Sequence, residues 1–99
     1  MPYLKNKDAA RLHDKLKAIN PATSGELNYC VCQLVMNYLN VQLMGTVDYS
    51  GLNAAIGALE LAKQELIRRL VSPYENGKIR DNGDIFQAFI RENKIPTLL

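Results

Sequence analysis

Arg68, Arg69, Lys78 and Arg80 crowd the stretch 68–80, with Tyr74 among them. Guanidinium and ammonium groups bind phosphate oxygens, and a tyrosine ring stacks on a base or offers its hydroxyl. Asn53, Asn82 and Asp84 could add hydrogen bonds to a base or a sugar. Arg68, Arg69, Tyr74, Lys78, Asn53, Asn82 and Asp84 are therefore the candidate ligand-binding residues. A plainer reading stands beside this one. Cations in the last turn of a helix complement the negative end of its dipole, and Arg68 and Arg69 sit where a helix end favours them.

The other reactive side chains do not converge. Glu60 and Glu65 are five residues apart, which puts them about 140° apart around a helix, too far to share the work of a general acid and base. Glu60 with Lys63 and Glu65 with Arg69 read as helix ion pairs of roughly 0.2–0.5 kcal/mol each. No nucleophile is paired with a base by any sequence pattern. Asn76-Gly77 and Asn82-Gly83 are turn signals, not a phosphate-binding glycine loop. Cys30 and Cys32 would point about 200° apart on a helix, which suits neither a bridge nor a shared metal. His13 is the sole histidine, and a zinc site takes about three or four ligands. The expectation is a protein that is not an enzyme and holds no metal or cofactor, with its thiols in a core or an interface in a reducing compartment.

Five helices should carry these residues. Asn6 or Asp8 is positioned to cap a first helix running to Ile19, with Ala9, Leu12, Leu16 and Ile19 as its apolar stripe. Asn20-Pro21 ends it. Thr23-Ser24-Gly25-Glu26 fits a capping box, opening a second helix to Met44 that Gly45 closes. Leu27, Val31, Leu34, Val35, Tyr38 and Val41 give that helix a broad apolar face, while Gln33, Asn37 and Asn40 form a stripe of uncharged amides. Those amides could be satisfied within one chain or face another subunit. Asp48 should cap the third helix, which runs to Val71 and carries apolar Leu52, Ile56, Leu59, Leu66 and Leu70 beside a small-residue stripe, Gly51, Ala55, Ala58 and Ala62.

The third helix would be roughly 35 Å long at 1.5 Å per residue, against a radius of gyration of about 13 Å for a compact domain of this size. Helices two and three thus predict a long antiparallel hairpin with protruding ends that a second copy would bury. Ser72-Pro73 should break or kink the chain before a short helix with Tyr74, Lys78 and Ile79, which Asn76-Gly77 weakens. Gly83 suits a left-handed stop, and Asp84 a cap for a last helix with Ile85, Phe86, Phe89 and Ile90 inward. Residues 93–99 read as a tail, or as an arm on a neighbouring subunit. The fold class is all-α: one domain over 1–99, a small bundle built on the hairpin with shorter N- and C-terminal helices.

Composition sets the outer bounds. The 47% hydrophobic and 22% charged content is that of a globular protein, and a net charge of +2 argues little for nucleic acid. Leu27 to Val47 carries no charge, but Asn28, Gln33, Asn37, Asn40 and Gln42 would each be costly in hydrocarbon, so a buried or subunit-facing helix is expected, not a membrane span. Met1-Pro2-Tyr3-Leu4 leads straight into charge without a secretory pattern, which places the protein in the cytoplasm.

The spaced residues Tyr49, Asn53, Ile56-Gly57, Leu59-Glu60, Lys63, Glu65 and Arg68-Arg69, followed by Pro73-Tyr74-Glu75, Lys78 and Asn82-Gly83-Asp84, make a composite pattern. With Gly25-Glu26-Leu27-Asn28-Tyr29 and Met1-Pro2-Tyr3 upstream, the chain resembles a family of small proteins of unknown function found mainly in phages and prophages. The resemblance covers residues 1–86 and is densest over 49–84. Where the family has an acidic residue and then lysine after Tyr74-Glu75, this chain has Asn76-Gly77. A phage origin would imply a small oligomeric protein that antagonises host defence by sequestering a signalling nucleotide between subunits. The rivals are a protein-interaction module, such as an inhibitor of a host protein or a virion accessory, and weak nucleic-acid binding through the basic first helix.

Overall fold

The computed structural model describes residues 2–43 and 47–96, with backbone alone for residues 42 and 43. Every element among them is helical: α1 (Asn6–Leu16), α2 (Ser24–Leu43), α3 (Tyr49–Leu66), a π turn (Ile67–Val71), α4 (Ser72–Asn82) and α5 (Gln87–Glu92). The all-α expectation holds. The chain divides into two units, Met1–Lys63 and Gln64–Leu99.

The first unit holds α1, α2 and most of α3, and two of its three helix starts are fixed by side chains. At α2 the Thr23 hydroxyl accepts the Glu26 N–H at 3.1 Å, and the Glu26 carboxylate accepts the Ala22 N–H at 2.9 Å. This is the predicted capping box, with Glu26 reaching one residue further back than the usual partner. At α3 the Asp48 carboxylate accepts the Gly51 N–H at 2.8 Å, and its carbonyl takes the Leu52 N–H. Helix α1 departs from expectation. Its cap is Lys5, with no side-chain hydrogen bond, and Asn6 and Asp8 lie inside the first turn. There the Asp8 charge favours the helix dipole instead of capping it. The helix also stops at Leu16, three residues early: the Ile19 N–H closes a tight turn onto the Leu16 carbonyl, and the Asn20 amide reaches the Lys17 carbonyl at 3.4 Å. The predicted end of α2 at Met44 and Gly45 lies outside the described residues.

Among the described residues of this unit only Gly51 and Ala55 are buried, Ala55 at 5% exposure. Leu27, Leu34, Tyr38, Leu52, Ile56 and Leu59 all remain exposed. Gly51 and Ala55 at the start of the small-residue stripe of α3 are therefore where the described residues pack most tightly, and the larger apolar side chains around them are only partly covered.

The second unit corrects the expected break at Ser72-Pro73. Leu66, Val71 and Ser72 all keep right-handed helical dihedrals, so the backbone passes through without interruption. Proline offers no N–H to the carbonyl four residues back, here Arg69, and its ring crowds that oxygen. A π turn at Ile67–Val71, closed by the Ser72 N–H on the Ile67 carbonyl, widens the helix just ahead of the proline. Asn76 and Gly77, expected to weaken a short helix, lie within α4. Gly83 does end it, at φ 91° and ψ 160°, which is not the left-handed helical basin but a region almost confined to glycine.

Asp84 does not cap α5 directly. Its carboxylate accepts the Phe86 N–H at 2.8 Å in a turn ahead of the helix, whose cap is Phe86. Ile85, Phe86 and Phe89 do not point into a core, Ile85 being 87% exposed, and Ile90 alone of that group is half-buried. Beyond α5, Lys94 adopts φ 52°, the Lys94 N–H bonds the Arg91 carbonyl and the Ile95 N–H bonds the Ile90 carbonyl. That pair of bonds around a left-handed residue is a Schellman closure, so residues 93–95 belong to the helix stop.

Candidate functional site

The structure divides the candidate residues between the units. Asn53 is exposed on α3 in the first unit, whereas Arg68, Arg69, Tyr74, Lys78, Asn82 and Asp84 belong to the second. Within the second unit, Tyr74 and Lys78 stand one helical turn apart on α4, and the Lys78 ammonium lies 5.5 Å from the centre of the tyrosine ring. That is a cation–π contact, and it holds a positive charge beside an aromatic face that is itself 63% exposed.

The two arginines differ. Arg68 faces Glu65, with Nη2 at 2.5 Å and Nε at 3.4 Å from the two carboxylate oxygens. The carboxylate side chain is 20% exposed and the arginine 64%. This corrects the expected Glu65–Arg69 pair: the π turn that starts at Ile67 changes the spacing beyond it, and the partner is three residues on instead of four. Arg69 is exposed, and no partner for it is present among the described residues. The Glu60–Lys63 pair is found as expected, at 3.6 Å. Arg80 leans on its neighbour Asp81 at 3.6 Å, with both side chains largely in water. Asn82 is the last residue of α4, and Asp84 already spends one oxygen on the Phe86 N–H.

The second unit thus offers Arg69, Lys78 and Tyr74 to a ligand more readily than Arg68 or Asp84. Its chemistry is that of anion binding: a guanidinium fork, a point charge and a flat ring. No described side chain of the group is buried, so nothing in the unit itself excludes water from such a ligand.

A second feature lies in the first unit. Leu34, Val35 and Tyr38 of α2 and Ala55, Ala58 and Leu59 of α3 line an apolar groove of about 350 Å³. A further groove runs along α2 beside Leu16 and Ile19, with Cys30 in its wall. Both cysteines are free thiols, Cys30 half-buried and Cys32 exposed with its Sγ 3.9 Å from the Asn28 amide oxygen. The amide stripe pairs along its own helix, Gln33 donating to Asn37 at 2.9 Å on an exposed face. Among the described residues no cluster of three or more His, Cys, Asp or Glu side chains could hold a metal, and no helix is long and apolar enough to cross a membrane.

An all-helical chain with a cation–aromatic surface and an open apolar groove names no activity by itself. The chain belongs to a family described as a domain of unknown function (DUF6899), whose model matches residues 1–85. No curated protein and no solved structure matches it.

The sequence pointed to the cations and the apolar faces but not to the π turn. One signal was present, Pro73 four residues after Arg69 inside an otherwise helical pattern. Read alone, that spacing favours a helix end, because a π turn has no composition of its own.

Proposed function

We propose that the protein is a homo-oligomeric binding protein that sequesters a phosphate-bearing small molecule, with Arg69, Tyr74 and Lys78 as its principal contacts and Arg68, Asn53, Asn82 and Asp84 in support. The ligand class is a signalling nucleotide, cyclic or otherwise. The protein carries out no chemistry on it and works in the cytoplasm of a phage-infected bacterium as an antagonist of host defence. The observation that carries the binding surface is the Lys78 ammonium held 5.5 Å over an exposed Tyr74 ring, one element away from the unpartnered Arg69. Together they supply charge for a phosphate and a face for a base.

Oligomerisation follows from the first unit. Its helices α2 and α3 are read as a long antiparallel hairpin. The five residues 44–48 between them reach at most about 18 Å, too little to return a 20-residue α2 to its start, which would take roughly 30 Å. Such a hairpin leaves its apolar side chains uncovered, and further copies close over them.

The test is a thermal-shift screen against cyclic dinucleotides, cyclic trinucleotides and linear nucleotides, run beside light scattering. A ligand at one hundred times its dissociation constant should add about 2.7 kcal/mol of stability. No shift across the panel removes the nucleotide reading. The α2–α3 groove favours a second reading, a protein-interaction module that takes an apolar helix from a host or phage partner. That reading expects no nucleotide response, together with a stoichiometric complex with one purified partner.

A further inference from the structure

We propose that the solvent-facing side of α1 binds the phosphate backbone of double-stranded DNA through Lys7, Arg11 and Lys15. The site lies in the first unit and stands apart from the surface made by Arg69, Tyr74 and Lys78, so neither depends on the other.

Three observations carry it. The first is where the charge sits. Residues 5–17 hold Lys5, Lys7, Arg11, Lys15 and Lys17, and from Ala18 to Ala62 the first unit has no lysine, arginine or histidine. Cations that served solubility would be interspersed over α2 and α3 as well. Here a net charge of +2 hides a single basic helix.

The second is how α1 is turned. Lys7, Arg11 and Lys15 recur every four residues, so they sweep about 80° of the helix surface and span about 12 Å along it. All three are exposed. Leu12 and Leu16 lie about 100–140° around the axis from Arg11. Leu12 is half-buried, and Leu16 with Ile19 lines the groove beside Leu27, Cys30 and Val31 of α2. The apolar side is turned to the unit and the cationic stripe away from it.

The third is that the stripe is unspent. Among the described residues, none of its three cations is in an ion pair. Asp14 stands on the same face but pairs with Lys17 at 3.6 Å. Asp8 is half-buried in the first turn, where it favours the helix dipole.

This pattern suits a duplex better than the other polyanions. About 12 Å of duplex carries about seven phosphate charges, so each cation finds a partner wherever the helix lands. An acidic protein would have to fix its carboxylates at matching positions around an apolar centre, which this face lacks. An acidic membrane takes up large apolar side chains beside the cations, and α1 sets Ala10 there. Single strands are held by stacking on aromatic rings, and α1 has none. Duplex RNA is recognised largely through its 2′-hydroxyls, for which no hydroxyl or amide stands among the three cations. A contact made with phosphates alone carries no sequence preference.

The experiment is fluorescence anisotropy of a labelled 20-base-pair DNA titrated with the full chain at 50 to 200 mM sodium chloride. Half-saturation should fall below about 100 µM at the lowest salt, and three contacts should weaken it at least about fortyfold across that range. Lys7→Gln, Arg11→Gln and Lys15→Gln together should lower affinity at least about tenfold and flatten the salt dependence. An equal loss of charge elsewhere, Lys63→Gln with Arg91→Gln and Lys94→Gln, should change it less than about twofold. Circular dichroism checks that each variant keeps its helices. Asp14→Asn reads the same face by a gain, because it frees Lys17: affinity should rise and the salt slope steepen by about 0.9. That arm decides the matter if the triple variant on α1 unfolds.

No binding by the wild type at 50 mM salt overturns the proposal. So does an equal loss in both triple variants, or an Asp14→Asn chain that binds no better than the wild type. Duplex RNA or single-stranded DNA of the same sequence binding as tightly overturns the assignment to duplex DNA. Sedimentation with phosphatidylserine vesicles while DNA stays unbound overturns it in favour of a lipid surface. A failed nucleotide screen touches none of these outcomes.

Discussion

The two units solve opposite problems. In the first, side chains set the starts of α2 and α3 at Thr23, Glu26 and Asp48, and these two helices, unlike α1, then run without charge along most of their length. In the second, no helix start is capped by a side chain, a proline sits inside the helical run, and the surface is dense with Arg, Lys, Asp and Glu. The contrast teaches that local order and tertiary cover come from different sources here. The first unit is defined locally, and its large apolar side chains stay partly open to solvent. The second is held by helical continuity and keeps its polar groups in water, where they can meet a ligand.

The sharpest way to break this contrast is Leu34→Asp. A carboxylate in the α2–α3 groove costs about 3 kcal/mol or more when buried without a partner, so the proposed assembly should dissociate in light scattering. The same change on a naturally wet surface would pass unnoticed. Next in size is Arg69→Ala in the second unit. It should weaken whichever nucleotide gives a thermal shift by about 1.5–3 kcal/mol, the range for a charged hydrogen bond, measured by calorimetric titration with the oligomer mass unchanged. Gly83→Ala follows, forcing a side chain into a backbone region nearly restricted to glycine. It should lower the unfolding free energy by about 1–3 kcal/mol in urea titration.

Asp48→Ala probes the first unit's local order. Losing the cap on the Gly51 N–H should cost about 1 kcal/mol, seen as a lower thermal midpoint with nucleotide affinity unchanged. The smallest effect has the opposite sign. A Cβ at Gly57 meets no atom within 4 Å, so Gly57→Ala should stabilise α3 by about 0.5–1 kcal/mol. If it instead destabilises, that side of α3 also faces a neighbour, and the uncovered region of the first unit is larger than the groove.

These differences also explain what could be read in advance. Thr23, Glu26 and Asp48 were legible because a cap is decided within four residues of sequence. The apolar faces of α2 and α3 were legible from periodicity, down to Leu34, Tyr38 and Leu59, which now line the groove. Pro73 misled, because a helix that continues on both sides can absorb a proline by adding a residue to one turn. Ile85, Phe86 and Phe89 misled for another reason. Their apolar character pointed to an interior, and within the second unit all three stand exposed. Of the candidate site, Tyr74 and Lys78 were brought together by simple helical spacing. Arg68 and Arg69 were expected to act alike, and Glu65 pairs with the first.

The near absence of charge from Leu27 to Leu59 sets how the proposed assembly should respond to its surroundings. With nothing ionic to screen, sodium chloride at moderate strength should leave its subunit affinity almost unchanged, while sulfate should tighten it by exclusion from oily surface. Chilling acts the other way, because apolar attraction fades toward freezing. Cold storage in a low-salt buffer is therefore the condition under which the proposed assembly should come apart into single chains.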